Sequence, residues 1–351
     1  MPGGHVSDAK PFMQKMTSIP KGIADYTSAA EVFQLIREEL SLVQKELESD
    51  LQSNVQVVSR IGNYLLEAGG KRVRPSLLLL AAKSINPSAL NPGTIELAAV
   101  IELIHTATLV HDDIIDDADT RRGRPSVNAR WGNEITVLVG DWLYMTAFQK
   151  TLAQRNFEIL DILTNLTCRM TEGELLQLTQ RGNVAITEEE HLAIVRAKTA
   201  YLFSSAAEIG AIVGGASSAE QTALREYGLN LGIAFQLIDD LLDFTASEDK
   251  LGKPVASDLQ DGKLTLPAIW LNHRGTDRDR ENIRSVVANG FKNVSPGEII
   301  DSLQRYELLE QAHHEAERYA RLALDSTKEL NDSPYRDALV KIARFVVERD
   351  L

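Results

Sequence analysis

Two short acidic runs, Asp112-Asp113-Ile114-Ile115-Asp116 and Asp239-Asp240-Leu241-Leu242-Asp243, hold the residues best suited to chemistry. At roughly 100° per residue, Asp112 and Asp116 lie one turn apart on one helix face with Asp113 beside them. Thr108 and His105 continue that stripe toward the N-terminus. Asp239 and Asp243 share a face in the same way, with Gln236 one turn earlier. Carboxylates this close repel and raise one another's pKa, so each cluster is costly unless cations neutralise it. Oxygen-only ligands suit Mg²⁺, with substrate phosphates completing the shell. One such cluster reads equally well as a solvated helix end; two, each closing an apolar helix, do not. Set side by side, the helices would place six carboxylates at the mouth of an apolar cavity. Such a set holds several Mg²⁺ ions only when a polyanion such as a diphosphate shares them.

The basic residues are distributed as that chemistry requires. Lys71, Arg72 and Arg74 follow the Gly69-Gly70 break, and Arg121, Arg122 and Arg124 follow the first acidic run. Lys198 sits at a helix kink, and Lys253 and Lys263 follow the second run. Arg grips phosphate with a planar fork and Lys as a point charge. Any one of them alone is an ordinary surface base; their position beside breaks and carboxylates sets them apart.

The elements that must position these residues read as helices throughout. Apolar residues recur with helical period from Ala29 onward, and no alternating β-branched run is long enough to build a sheet. The stretches Ile95–Asp117 and Ala219–Phe244 are apolar almost all round until their acidic ends, the mark of central helices. Ala29–Glu48 is amphipathic, Thr187-Glu188-Glu189-Glu190 fits a capping box, and 247–262 reads as a loop. The expectation is an all-α, single-domain bundle of ten or more helices over residues 29–351, behind a flexible tail over residues 1–28.

That tail has Pro and Gly but no continuous apolar segment, so it reads as neither a secretion signal nor a membrane span, and a cytoplasmic protein is expected. A net charge of −13 without a basic stripe argues against a nucleic-acid partner. It also means that an anionic substrate needs a site that is locally basic or metal-loaded. The single cysteine, Cys168, excludes an intrachain disulfide and a thiolate metal cluster; in a helical run it is expected to be buried and inert.

Taken together, Gly70-Lys71-Arg72-Val73-Arg74-Pro75, the first aspartate run with Arg121-Arg122-Gly123-Arg124-Pro125, Lys198-Thr199, and the second run from Gln236 with Gly252-Lys253 resemble the trans-isoprenyl diphosphate synthases, or polyprenyl synthetases. The resemblance covers about Ala29 to the C-terminus. It implies an isoprenoid-synthase bundle that elongates an allylic diphosphate with isopentenyl diphosphate, and a homodimer. It implies that Lys71, Arg74, His105 and Arg122 hold isopentenyl diphosphate. Arg121, Lys198, Thr199, Gln236 and Lys253 would hold the allylic diphosphate, and the last four would serve catalysis there. Asp112, Asp116 and Asp239 would be direct Mg²⁺ ligands, three ions per site with diphosphate bound, and Asp113, Asp240 and Asp243 would support them. By the same resemblance the allylic C–O bond ionises, the isopentenyl double bond attacks, and the released pyrophosphate takes the proton. Thr199 and Gln236 could turn oxygen dipoles toward the cation.

Ala107 and Thr108 lie about 6–7.5 Å before Asp112 along the helix. Relatives that stop at a short chain usually place a bulky aromatic residue there. Two small residues along a helix rising 1.5 Å per residue resemble the long-chain enzymes (octaprenyl/solanesyl-type) of respiratory quinone tails, with products of about thirty to fifty carbons. Tyr144 and Phe148 are the candidate deeper floor.

Four other readings compete. A shorter-chain synthase would share every motif. A class I terpene cyclase shares the fold and first cluster but normally carries an Asn/Asp-x-x-Ser/Thr-x-x-x-Glu second motif. A di-iron helical protein would use Glu-x-x-His pairs; Glu102–His105 fits the pattern. Glu188–His191 and Glu310–His313 fit it too but read as surface helix. A non-catalytic subunit is disfavoured by the two intact aspartate motifs.

Overall fold

The structure is a computed structural model, and it describes residues 29–246 and 254–348. The tail expected over residues 1–28 lies outside the described residues, as do Gly252 and Lys253.

The chain enters through α1 (Ala29–Gln34) and α2 (Arg37–Asp50), which sequence periodicity reads as one helix. The break lies at Leu35-Ile36. Ile36 leaves helical geometry (φ −130°) and is wholly buried, so the kink lets Val32 and Ile36 both reach the core. α3 (Gln56–Glu67) and α4 (Val73–Ile85) flank the Gly69-Gly70 break, and α4 is buried on nearly every side from Pro75 to Ser84.

α5 (Pro92–Ile115) is the first central helix. Pro92 presets its first turn, Asn91 accepts a hydrogen bond from the Thr94 backbone N–H, and Leu97 to Leu103 are buried without interruption. By length and hydropathy α5 could cross a membrane, but its apolar window is 67% buried inside the bundle, as befits a core helix.

The acidic end of α5 runs into the only strands among the described residues, a two-residue ladder pairing Thr120-Arg121 with Arg124-Pro125. Arg122 (φ 53°) and Gly123 (φ 73°) form its turn, both left-handed as a tight hairpin demands. α6 (Val127–Trp131), α7 (Asn133–Ala153) and α8 (Phe157–Gln180) follow, α7 packing along α5.

After the capping box at Thr187, α9 (Glu188–Val195) passes through a π-helical turn, Arg196–Ala200, into α10 (Tyr201–Gly214). α11 (Ser218–Thr245) is the second central helix, opened by a capping box at Ser217 and Glu220. α12 (Ser257–Gln260) is a helical turn inside the segment expected to be loop. α13 (Leu266–Arg274), α14 (Asp277–Asn289), α15 (Pro296–Arg305), α16 (Leu308–Ser326) and α17 (Pro334–Val347) complete the bundle.

The architecture is all-α. α4, α10, α11 and α16 stack in succession, with α5 and α7 alongside. Close approach explains two glycines. A Cβ on Gly210 would stand 2.4 Å from the Leu78 carbonyl, and one on Gly232 would stand 2.6 Å from Ala200 Cα.

Two expectations are corrected. Cys168 is exposed: the buried stripe of α8 is narrow (Leu163, Leu166, Met170, Gly173), and Cys168 lies on the opposite face. His191 and His313 are buried rather than on surface helix, because each faces a neighbouring element. His313 Nε2 meets the Val347 carbonyl at 3.1 Å, and His191 turns toward α11.

Candidate active site

A cavity of about 790 Å³ opens between α5 and α11, and it draws lining residues from α4, α7, α8, the hairpin and the π-turn. Lys71, Arg74, His105, Thr108, Asp112, Arg121, Arg122, Lys198, Thr199, Gln236 and Asp239 all line it. Three of the sequence candidates stand apart. Lys253 lies outside the described residues. Asp116 does not line the cavity; its Oδ1 accepts from Lys263 Nζ at 2.9 Å. Ala107 is fully buried in the wall and does not line the cavity, so of the two small residues only Thr108 faces the space.

One pole of the cavity is basic. Arg74 is half-buried, with its guanidinium carbon 4.8 Å from the centre of the Phe203 ring and Nη1 3.0 Å from His105 Nε2. A guanidinium has no lone pair to offer, so His105 Nε2 must be the acceptor and the ring is neutral with its proton on Nδ1. Burial, and then the surrounding Arg74, Arg122, Arg121 and Arg72, hold that imidazole well below its ordinary pKa. Burial also pulls Arg74 down to about 10.

Arg72 is fixed by Glu102 at 2.5 Å and by Gln44 at 3.0 Å. Arg122 donates to the Gly69 carbonyl. Arg72 (φ 48°) and Arg122 (φ 53°) both occupy the left-handed region, a strain typical of loops that shape a site. Lys71 is exposed and makes no ion pair among the described residues.

The opposite pole is acidic. Asp112 is pushed up to about 6, first by burial and then by Glu174 and Asp116, with Lys198 and Arg121 partly offsetting them. Lys198 Nζ lies 2.7 Å from Glu174 and 3.9 Å from Asp112. Glu174 was not singled out from sequence. Its signal is a carboxylate one turn after Met170, continuing a partly apolar face into the cavity.

The supporting aspartates are committed elsewhere. Asp113 is buried and bonded to Arg121 Nε at 2.5 Å. Asp243 accepts from Ser257 Oγ at 2.8 Å and from the Asp258 backbone N–H at 3.1 Å, which anchors α12 to α11.

This arrangement fits Mg²⁺. The donors are all carboxylate oxygens, and the uncompensated burial that lifts Asp112 is what a bound dication would reverse. Among the described residues no three such groups converge into a ready-made coordination sphere. That suits an ion held by one or two carboxylates and completed by phosphate oxygens and water.

The π-turn Arg196–Ala200 delivers Lys198 and Thr199 side by side to the cavity. π-bulges cluster at functional sites. Gly173 makes room for it, since a Cβ there would stand 2.5 Å from Ala197 Cβ. Thr199 Oγ1 donates to Gln236 Oε1 at 2.7 Å, and Gln236 Nε2 donates to Asp240 Oδ1 at 2.9 Å. A second chamber of about 210 Å³ lies behind this bridge and shares Lys198, Thr199 and Gln236 with the first.

Comparison with known proteins agrees with this geometry. A family model described as polyprenyl synthetase matches residues 55–301. The octaprenyl diphosphate synthase of Escherichia coli is 37% identical over 91% of this chain and 98% of its own length. A short chain isoprenyl diphosphate synthase of Methanothermobacter thermautotrophicus is 36% identical over 91% of this chain and 99% of its own. The crystal structure of a polyprenyl synthase from Caulobacter crescentus, complexed with calcium and isoprenyl diphosphate, superposes with a TM-score of 0.87 at 33% identity. It covers 93% of this chain and 99% of that one.

Proposed function

Because the chain belongs to the polyprenyl synthetase family of chain-elongating prenyltransferases, we propose that it condenses isopentenyl diphosphate head-to-tail with an allylic diphosphate in a Mg²⁺-dependent reaction, giving a long-chain all-trans-polyprenyl diphosphate. The observation that carries this reading is the single cavity with a basic pole at Lys71, Arg74 and Arg122 and a carboxylate pole at Asp112 and Asp239. Two diphosphates can then bind at opposite ends with their reactive carbons between them. A divalent ion bound together with an isoprenyl diphosphate in the Caulobacter relative supports the same pairing here.

In this reading the basic pole grips isopentenyl diphosphate. Arg74 is pre-aimed by His105, and Arg122 by the Gly69 carbonyl. Asp112, Asp116 and Asp239 would hold Mg²⁺, which supplies charge stabilisation for the departing pyrophosphate. Lys198 places its ammonium beside the same leaving group. Thr199 and Gln236, locked to each other, present their oxygen dipoles to the allylic carbon as positive charge develops there. Leu202, Phe235 and Met170 give that region apolar walls that keep water from the cation. The isopentenyl double bond attacks the allylic carbon, and the proton then lost leaves with the pyrophosphate.

Product length follows from the small Thr108 on the cavity wall, which leaves room for a chain growing along α5. One observation favours a shorter product: Tyr144 also lines the cavity and brings an aromatic ring to its wall.

The enzyme works as a homodimer in this proposal, and as a soluble protein. Val137, Leu138, Met145 and Leu152 leave an exposed apolar strip on α7 for a second copy to cover. The test of the function is chromatography of products from labelled isopentenyl diphosphate with geranyl or farnesyl diphosphate and Mg²⁺. Chains of thirty carbons or more are expected, and a cyclic hydrocarbon from the allylic diphosphate alone would refute elongation.

A further inference from the structure

His191, the histidine of the Glu188–His191 pattern, stands beside Asp240 of the second aspartate run. It is 6% exposed and lines the smaller chamber, not the substrate cavity. Three buried polar atoms around that chamber have no hydrogen-bond partner among the described residues: His191 Nε2, Asp240 Oδ2 and Thr265 Oγ1. Two of them face each other. His191 Nε2 stands 3.2 Å from Asp240 Oδ2, within ion-pair distance but out of line for a hydrogen bond.

A buried donor and acceptor left unpaired each lose solvation without return, so the pair gains by closing. The terminal torsions of Asp and His are broad, and side-chain rotation alone can close it. Glu188 fixes the start of the same helix by accepting from the Trp270 indole N–H at 2.8 Å, so the backbone beneath His191 is tied down.

The contacts continue from there to the reacting centre. The other oxygen of Asp240 accepts from Gln236 Nε2 at 2.9 Å, and Gln236 Oε1 accepts from Thr199 Oγ1 at 2.7 Å. An aspartate held at only one oxygen can swing and carry the Gln236 amide with it. Held at both, it fixes which end of that amide meets Thr199.

We infer that His191 is a positioning residue for the reaction: through Asp240 it sets the Gln236–Thr199 bridge that faces the allylic substrate. The inference rests on the proposed function. It also separates the roles of two adjacent carboxylates, Asp239 on the cavity and Asp240 on the brace.

The test assays the full-length protein and its His191→Leu, His191→Gln and His191→Asn variants for elongation of farnesyl diphosphate with isopentenyl diphosphate and Mg²⁺. His191→Leu should lose about 10- to 100-fold in kcat/KM for the allylic substrate, the usual scale for removing a group that orients an active-site ligand. Its KM for isopentenyl diphosphate should stay unchanged, because Lys71, Arg74 and Arg122 stand at the other pole. Gln carries an amide nitrogen to the position of Nε2 and should recover most of the loss. Asn stops near Nδ1 and should not. Full activity in His191→Leu would overturn the inference alone. So would equal loss in the Leu and Gln variants with a matching drop in melting temperature, which marks a packing role. A wild-type protein that elongates nothing would overturn the proposed function and the inference with it.

Discussion

The imidazole of His105 accepts a hydrogen bond from the guanidinium of Arg74 across 3.0 Å, so protonating that ring would set two half-buried cations face to face. The unfolded chain takes up a proton at the ordinary histidine value of 6.5, while the folded chain resists it to well below that. Below pH 6.5 the unfolded state therefore binds more protons, and stability falls as pH falls. Above 6.5 both states are neutral and the effect is absent. His105→Gln keeps an acceptor for Arg74 but cannot titrate. Between about pH 7 and about pH 5 its urea midpoint should fall less than that of the wild type; parallel curves would show that His105 is not the group responsible.

Removing a carboxylate of the acidic pole should disable chemistry rather than folding. Asp112→Asn and Asp239→Asn are each expected to lower kcat by about 10²-fold or more. The melting temperature of Asp112→Asn should hold or rise, since Asp112 is raised to about 6 by burial and neighbouring anions and is an unfavourably placed charge in the free protein. Chelation of divalent ions should abolish turnover, with recovery on adding Mg²⁺. Calorimetric melting alongside steady-state kinetics separates the two effects.

Thr108 and Ala107 should respond differently to enlargement. Thr108→Phe adds bulk to the cavity wall and should shorten the product with little loss of stability. Ala107→Tyr must push into a fully buried wall that does not face the cavity, so it should cost about 1–3 kcal/mol and leave the product length nearly unchanged. Tyr144→Ala should lengthen the product. Mass spectrometry of the polyprenols after dephosphorylation reads all three, and an unchanged distribution in Thr108→Phe would remove this wall from the elongation path.

The exposed strip of α7 should control assembly. Leu138 and Met145 are 68% and 61% exposed, large apolar side chains that a single chain leaves in water. Leu138→Glu with Met145→Glu is expected to convert a dimer to a monomer in analytical ultracentrifugation. A double variant that sediments with the wild type would place the contact elsewhere.

Sequence made the aspartate motifs legible because an i, i+4 pair of carboxylates at the end of an apolar helix has few inexpensive explanations. The capping box at Thr187 was legible for the same local reason, since Thr187 and Glu190 satisfy each other's backbone groups. What a lone helix cannot reveal is which face its neighbours will cover. Cys168 looked buried because it lies in a helical run, but the covered stripe is narrow and passes it by. His191 looked solvated because a capping box at Thr187 accounts for the Glu188–His191 pattern, although the ring itself turns toward α11. The hairpin at Arg122-Gly123 was not visible as paired strands, because only Gly123 announces the left-handed backbone and Arg122 adopts it unannounced.

The π-helical turn at Arg196–Ala200 gives the α9–α10 rod one residue more than a regular helix would use. In a regular helix, adjacent residues point about 100° apart, and that phase runs unbroken from end to end. The surplus residue slips the phase once, at the level of the substrates. Lys198 and Thr199, neighbours in the chain, thereby both border the large cavity and the small chamber behind it. Deleting Ala197 would restore a regular rod and rotate everything upstream against everything downstream. The enzyme thus keeps its reaction in register through a helix that is deliberately out of step with itself.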